Sequence, residues 1–246
     1  MTALARISSV VVHGLHADVW HANALAKPVQ QVQCTGHPEL DAQLPGGGWP
    51  VGALTEVLQP SGVHAEWRLL LPALTRCGQA PVLLVGAPHL PFAPALVAQG
   101  LATQRMLSVV VPAAAMRLWA CEQALRCADV GAVLAWLPQA RSDQLRRLQM
   151  AASEYNKLLF VMRPEGARDD ASPAVLRLHI QPQPQPPTPA RQTLRAQEPD
   201  RLQLQLLKRR GPPLDTPLLL SARSAHIRMQ LAASLAYALD RTATAV

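Results

Sequence analysis

The residues best suited to chemistry lie in one stretch between a predicted strand and a predicted helix. They are Pro60, Ser61, Gly62, His64, Ala65 and Glu66. A phosphate-binding loop at such a place needs glycines whose amides approach the phosphates, a lysine for the β and γ charges, and a hydroxyl for Mg²⁺. This stretch has no lysine, and Glu66 would repel a triphosphate at short range. We therefore expect a degenerate loop with no catalytic residue, no bound nucleotide, no cofactor and no ATPase activity.

Other reactive side chains stand apart from one another in the sequence. His64 and His89 fall near the same predicted sheet edge, but no cysteine or carboxylate stands at ligand spacing beside either, so we predict no metal site. Ser61 lacks the Gly-x-Ser-x-Gly turn that activates a nucleophilic serine. The four cysteines form no C-x-x-C pair, and we interpret them as reduced, mostly buried thiols.

Length and composition predict one large globular domain with small extensions. The chain has 246 residues, of which 49% are apolar and 16% charged, which suffices for a hydrophobic core and argues against a disordered chain. No apolar run reaches the roughly 18 residues that a membrane-spanning helix needs. The first residues lack the pattern of a secretory signal, so we expect a cytoplasmic protein.

The net charge lies entirely in the second part of the chain. Residues 1–140 carry seven Lys plus Arg and seven Asp plus Glu, whereas residues 141–246 carry 16 and 9, which accounts for the net +7. A basic region of this kind can face nucleic acid. A solvated basic surface is the alternative interpretation.

Aliphatic runs alternate with amphipathic stretches through the middle of the chain. Strands are predicted over 53–58, 82–86, 107–111, 132–137 and 158–162, and helices over 64–77, 92–101, 113–127 and 142–155. Continuous aliphatic strands separated by helices predict an α/β fold, a mostly parallel sheet with helices on both faces.

The pattern changes after residue 162. A charged loop over 163–172 precedes a strand over 175–180, and the proline-rich tract 181–189 is predicted to stay outside the sheet because proline has no amide donor. Strict alternation over 202–206 predicts a half-exposed strand, which gives the sheet a C-terminal antiparallel pair. The last predicted helix, 224–240, carries an apolar stripe that could dock a partner: Ile227, Leu231, Leu235 and Leu239.

Three regions follow from these patterns. Residues 1–34 form an N-terminal helix and connection, residues 35–223 form the core with a Pro/Gln-rich loop at 181–200, and residues 224–246 form a C-terminal helix and tail.

Several segments resemble the recombinase family of RecA. They are Thr35-Gly36, Glu39 to Asp41, and Gly52 to Val57, and the similarity extends with gaps from about residue 35 to residue 220. Closer still, the segments 44–58, 68–74 and 133–138 resemble the family of translesion-synthesis-associated proteins called ImuA, which is distantly similar to the cell-division inhibitor SulA. The resemblance implies a RecA-like, P-loop-type core.

The same resemblance implies three losses at the ATP site. His64, Ala65 and Glu66 occupy the positions of the Gly, Lys and Thr of the phosphate-binding loop. The strand that should end in a metal-binding Asp ends in Leu137-Pro138, and the family's catalytic glutamate is missing after the strand 82–86.

The resemblance also identifies candidate contacts with macromolecules. The loop 163–172 corresponds to a DNA-contacting loop, which makes Arg163 and Arg168 candidate phosphate contacts. Lys208 and Arg210 correspond to cations that reach across the interface between RecA protomers, and Arg209 lies between them. A solvated strand end is the alternative for this cationic run.

The resulting hypothesis is a non-catalytic accessory factor of damage-induced mutagenesis in the SOS response. It would bridge RecA or DNA to an ImuB-like polymerase subunit during translesion synthesis. A SulA-like inhibitor of cell division and an active DNA-dependent ATPase are the alternatives.

Overall fold

The computed structural model describes residues 31–183 and 201–221. In chain order the elements begin with β1 (Val32–Gln33), α1 (Pro38–Asp41), β2 (Trp49–Pro50), β3 (Ala53–Gln59), α2 (Glu66–Leu74), β4 (Val82–Val85) and α3 (Ala93–Ala98). They continue with β5 (Met106–Val109), α4 (Ala114–Arg126), β6 (Ala132–Trp136), α5 (Ser142–Glu154), β7 (Leu158–Pro164), β8 (Leu176–Pro182), β9 (Arg201–Lys208) and β10 (Leu218–Ser221). Short 3-10 turns lie at Thr103–Arg105 and Glu165–Ala167.

Eight strands form one sheet in the order β10-β9-β8-β3-β7-β6-β4-β5. The strands from β8 to β5 run parallel, whereas β9 is antiparallel to both β8 and β10. A second sheet pairs β1 with β2. This arrangement confirms the predicted α/β class, the mostly parallel sheet and the C-terminal antiparallel pair.

Helices cover both faces of the sheet because the strands are apolar on both faces. On one face α1, α2 and α3 contribute Leu40, Leu69 and Leu96 to a large buried cluster that includes Phe160. On the other face α4 and α5 pack Leu125, Leu145 and Leu148 against the remaining strand residues. All seven residues of β3 are buried, which places the strand preceding the degenerate loop in the centre of the molecule.

The structure corrects several predicted boundaries. The helix expected over 64–77 is the shorter α2, because the Gln59 side chain accepts the Ala65 amide at 3.3 Å before the helix begins. At its end the Thr75 hydroxyl donates to the Pro72 carbonyl at 2.9 Å and closes the last turn. The strands β1, β2 and β10 were not predicted.

The prediction that the proline-rich tract stays outside the sheet from residue 181 onward is wrong for its first residues. Gln181 pairs with Gln203 and Pro182 with Leu202, and the Gln183 amide donates to the Arg201 carbonyl at 3.0 Å. Proline is tolerated because it stands at the end of β8, where few ladder bonds remain to be made.

The predicted N-terminal helix, most of the loop 181–200 and the helix 224–240 with Ile227, Leu231, Leu235 and Leu239 lie outside the described residues. Among the helices of residues 31–183 and 201–221, none has the length and apolar character of a membrane span.

Candidate functional site: a cleft at the carboxyl edge of the sheet

A cleft of about 540 Å³ opens at the carboxyl edge of the sheet. The ends of β3, β4, β5, β6 and β7 form its walls, and the loop between β3 and α2 forms one rim. Open α/β sheets bind their ligands at this edge. The degenerate loop thus lies where a functional site is expected.

Prolines line this cleft to an unusual degree. One follows or closes each of the five strands that reach it: Pro60, Pro88, Pro112, Pro138 and Pro164. Proline has no backbone N–H, so these positions offer no donor to an anion. The main chain at this edge is therefore poorly equipped to bind a phosphate group, which relies on such donors.

The loop between β3 and α2 is folded as a closed turn. The Val63 amide donates to the Pro60 carbonyl at 3.1 Å, and Gly62 has φ +76°, as the third residue of a type II turn requires. The Val63 and Ala65 amides are thus used inside the loop or by Gln59.

Glu66 begins α2 and is only 2% exposed. Its carboxylate lies 3.8 Å from Nδ1 of the half-exposed His64, and one of its oxygens has no hydrogen-bond partner among the described residues. The His64 ring packs edge-on against His89, with ring centroids 4.9 Å apart. A buried carboxylate at the start of this helix opposes the approach of a triphosphate.

His64, Glu66 and His89 do not form a metal site. Within the ranges 31–183 and 201–221, no group of three or more His, Cys, Asp or Glu side chains has the geometry to hold a metal ion.

Two arginines belong to the cleft. Arg117, on α4, donates from Nε to the Val111 carbonyl at 2.8 Å, and a Cβ added at Gly86 would come within 2.8 Å of its Cδ. Glycine at position 86 therefore makes room for this side chain. Arg117 is not predictable as a site residue, since nothing in its helix pattern distinguishes it from other arginines.

The second arginine, Arg163, is buried, which corrects its assignment as a loop cation available to DNA. Its Nη1 donates to the Glu56 carboxylate at 2.7 Å and its Nη2 to Asp170 at 2.8 Å. Arg177 donates from Nε to the other Glu56 oxygen at 2.5 Å. The desolvated Glu56 carboxylate, 0% exposed, requires such partners, and it attracts both guanidinium groups away from solvent.

Arg168 lies exposed in the loop that follows β7. Its Nη2 donates to the Gln205 side chain at 3.1 Å. Arg177 holds the same loop from below by donating to the carbonyls of Ala167 and Arg168 at 2.8 and 3.0 Å. Through Arg177, the buried Glu56 carboxylate thus positions the loop that carries Arg168.

The cations at the end of β9 lie beside the amino end of β8 and do not line the cleft. Lys208 pairs with Arg177 near the amino end of β8 and donates to the Ser172 carbonyl at 3.0 Å. Arg209 donates to the carbonyls of Pro212, at 2.9 Å, and Gln43. Arg210 is exposed. The structure therefore separates Lys208, Arg209 and Arg210 from the cleft.

The cysteines are less uniformly buried than expected. Cys34 and Cys127 are exposed and Cys77 is partly buried. Cys121 fits the expectation, because burial raises the pKa of its thiol to about 12. All four thiols are free.

Comparison with known proteins gives two relatives. No protein-family model matches the chain. It is 33% identical over 112 residues to the cell division inhibitor SulA of Photorhabdus laumondii, covering 45% of this chain and 63% of that protein. It is 33% identical over 123 residues to the cell division inhibitor SulA of Pectobacterium atrosepticum, covering 49% of this chain and 73% of that protein. By this identity and coverage, the chain belongs to the family of the cell division inhibitor SulA.

Proposed function

We propose that the protein is a non-catalytic member of the DNA-damage response that acts by binding other macromolecules. The cleft supports this proposal most strongly. At the place where a related ATPase would hold its nucleotide, five positions are prolines without an amide donor, no lysine is present, and the buried carboxyl group of Glu66 stands at the start of α2. A site of this composition favours protein contacts over phosphate chemistry.

Within this role, we propose an accessory factor of induced mutagenesis, which bridges RecA or DNA to an ImuB-like polymerase subunit. The resemblance of segments 44–58, 68–74 and 133–138 to ImuA supports this assignment. The separation of two surfaces also supports it, because the cleft lies at the carboxyl edge of the sheet and Lys208 lies beside the amino end of β8. Two partners could occupy these surfaces at the same time.

The second candidate is inhibition of cell division, and the similarity to the two SulA proteins favours it. Such a protein would sequester a component of the division machinery. Since the similarity covers about half of this chain, the remaining residues leave room for the additional contacts that a bridging factor needs.

Genetics and overproduction separate the two candidates. Deleting the gene should lower the frequency of damage-induced mutation, and the full chain should copurify with the ImuB-like subunit or with RecA. Filamentous growth on overproduction, with normal induced mutation in the deletion strain, would instead establish the division inhibitor. Loss of copurification on deletion of residues 224–246 would assign the polymerase contact to the C-terminal stripe.

The contribution of DNA is tested by salt. Association with a single-stranded oligonucleotide should weaken with salt at a slope near ~0.7 per phosphate contact. The R168E/K208E double variant should reduce that slope, whereas R146E, an exposed charge reversal on α5, should not. If binding does not depend on salt, Arg168 and Lys208 are assigned to contact with a protein partner.

A further inference from the structure

We propose that the cleft is a docking groove for an extended, apolar segment of a protein partner, and that Arg117 binds a carboxylate side chain of this segment. The inference rests on the proposed function, since it names the chemistry of a partner bound at the same site.

The apolar character of the groove argues for a protein segment. Besides the five prolines, Val110 and Val111 line the cleft, and Val110 is 75% exposed. Contiguous exposed apolar surface of this kind marks an interaction site, because covering it removes that surface from water.

The shape favours an extended occupant. The volume, about 540 Å³, has room for a few side chains, and the cleft is open to solvent rather than enclosed. A small ligand normally needs a site that buries most of its surface. An extended segment can place side chains in the groove while its main chain continues outward at both ends.

The charges select the sign of the occupant. The residues lining the cleft include Arg117 and Arg163 but no Asp or Glu. Arg163 is committed, since its side chain is 4% exposed and both its Nη atoms bind carboxylates of this chain. Complementarity therefore favours an acidic group, and of the two arginines Arg117 is the one available to meet it.

Arg117 is held in a position to act as this contact. Its Nε is fixed by the Val111 carbonyl and its stem packs over Gly86, while neither Nη atom has a hydrogen-bond partner among the described residues. A guanidinium with free Nη donors matches the geometry of one carboxylate. A triphosphate would need several further donors, and the five prolines that line the cleft supply none.

The test uses the full chain and a phage-displayed library of short random peptides. Selected sequences should combine aromatic or aliphatic residues with Asp or Glu. A fluorescein-labelled synthetic peptide of the selected sequence should bind the R117E variant at least about tenfold more weakly by fluorescence anisotropy. R126E, the same charge reversal on an exposed residue of the same helix, should leave affinity unchanged.

A second variant guards against misfolding of R117E. V110D changes a highly exposed residue of the groove and should weaken the same peptide, whereas M150D, at a 65% exposed position on α5, should not. Thermal unfolding of each variant confirms that it is folded.

Three outcomes would overturn the inference: selection of no peptide, selection of basic or uncharged sequences, or binding that is indifferent to both R117E and V110D. Each of these leaves the proposed non-catalytic role intact. Saturable binding of Mg-ATP in the cleft would contradict the proposed function itself, so the two failures are distinguishable.

Discussion

At the scale of single residues, Glu56 organises the centre of the molecule. It lies in β3 with no exposed surface, and its two oxygens are shared by Arg163 of β7 and Arg177 of β8. Arg163 also reaches Asp170, so the four charges sum to zero. A buried set of this kind is stable only while each charge keeps its partner.

We expect E56Q to destabilise the protein by about 3–5 kcal/mol, because the neutral amide leaves two buried guanidinium groups without their shared carboxylate. Urea unfolding at neutral pH measures this loss. E154Q, at an exposed position of α5, should cost under about 0.5 kcal/mol. Equal stability of the two variants would show that Glu56 is not required by its arginines.

The sequence contained part of this information. A glutamate inside an apolar strand is a buried charge that needs a cation, so Glu56 could have been identified as a paired residue. Which arginines pair with it could not, because the parallel register that aligns β7 and β8 with β3 is a tertiary property. For the same reason, the sequence pattern predicts Arg163 as the first residue of a loop, whereas it lies in β7.

At the scale of elements, His37 joins α1 to α2. It precedes α1, it is buried, and its Nε2 lies 3.2 Å from the Leu69 carbonyl of α2. Burial lowers the pKa of His37 below its ordinary value, because the charged imidazolium is poorly solvated there. The contact is therefore made by the neutral ring.

This lowered pKa predicts a loss of stability in acid. Below the ordinary histidine pKa of about 6.5, the unfolded chain binds a proton that the folded chain binds less readily. The free energy of unfolding therefore decreases as the pH is lowered. H37Q should flatten this dependence between about pH 7 and pH 5. H89Q, at an exposed position, should retain it. Identical slopes for H37Q and the parent would contradict the assignment.

Gly36 allows the segment before α1 to approach α2. Its φ is +85°, and a Cβ added there would collide with Pro72 and Arg76. Gly47 has a similar φ of +77°, but nothing lies within 4 Å of its Cβ position. At both positions any residue other than glycine would have a strained backbone. Only at Gly36 would its Cβ also collide with neighbouring atoms.

We expect G47A to cost about 1 kcal/mol from strain alone, and G36A to cost about 1–3 kcal/mol more, because it adds overpacking. Chemical denaturation of both variants tests the difference. If both cost the same, the approach of this segment to α2 does not matter for stability.

The predicted elements of the sheet followed from local pattern, whereas the missing ones did not. Aliphatic runs such as 132–137 predict buried strands, because an exposed loop does not contain so many consecutive apolar residues. The strands β1 and β2 have two residues each and carry no periodicity. Proline is generally excluded from sheets because it has no amide donor. Pro182 is nevertheless paired, because it is the last residue of β8. The proline after each central strand was visible in the sequence, but its meaning depends on parallel strands ending at one edge.

At the scale of the whole molecule, the sheet separates two surfaces. Its carboxyl edge carries an apolar cleft that is poorly equipped to bind phosphate groups, and the amino end of β8 carries Lys208 beside Arg177. Lys208 belongs to the excess of positive charge in residues 141–246, and it lies away from the cleft. This separation is the basis on which we propose that the molecule holds two partners.

Equilibrium dialysis of the full chain against radiolabelled Mg-ATP, with and without single-stranded DNA, tests the central claim most directly. We predict no saturable binding up to millimolar ATP and no release of phosphate, because the cleft lacks a lysine and a metal-binding carboxylate at the end of β6, and five of its lining positions are prolines without an amide donor. Saturable binding that is lost in R117E or G62V, or DNA-stimulated turnover by the purified chain, would contradict the account.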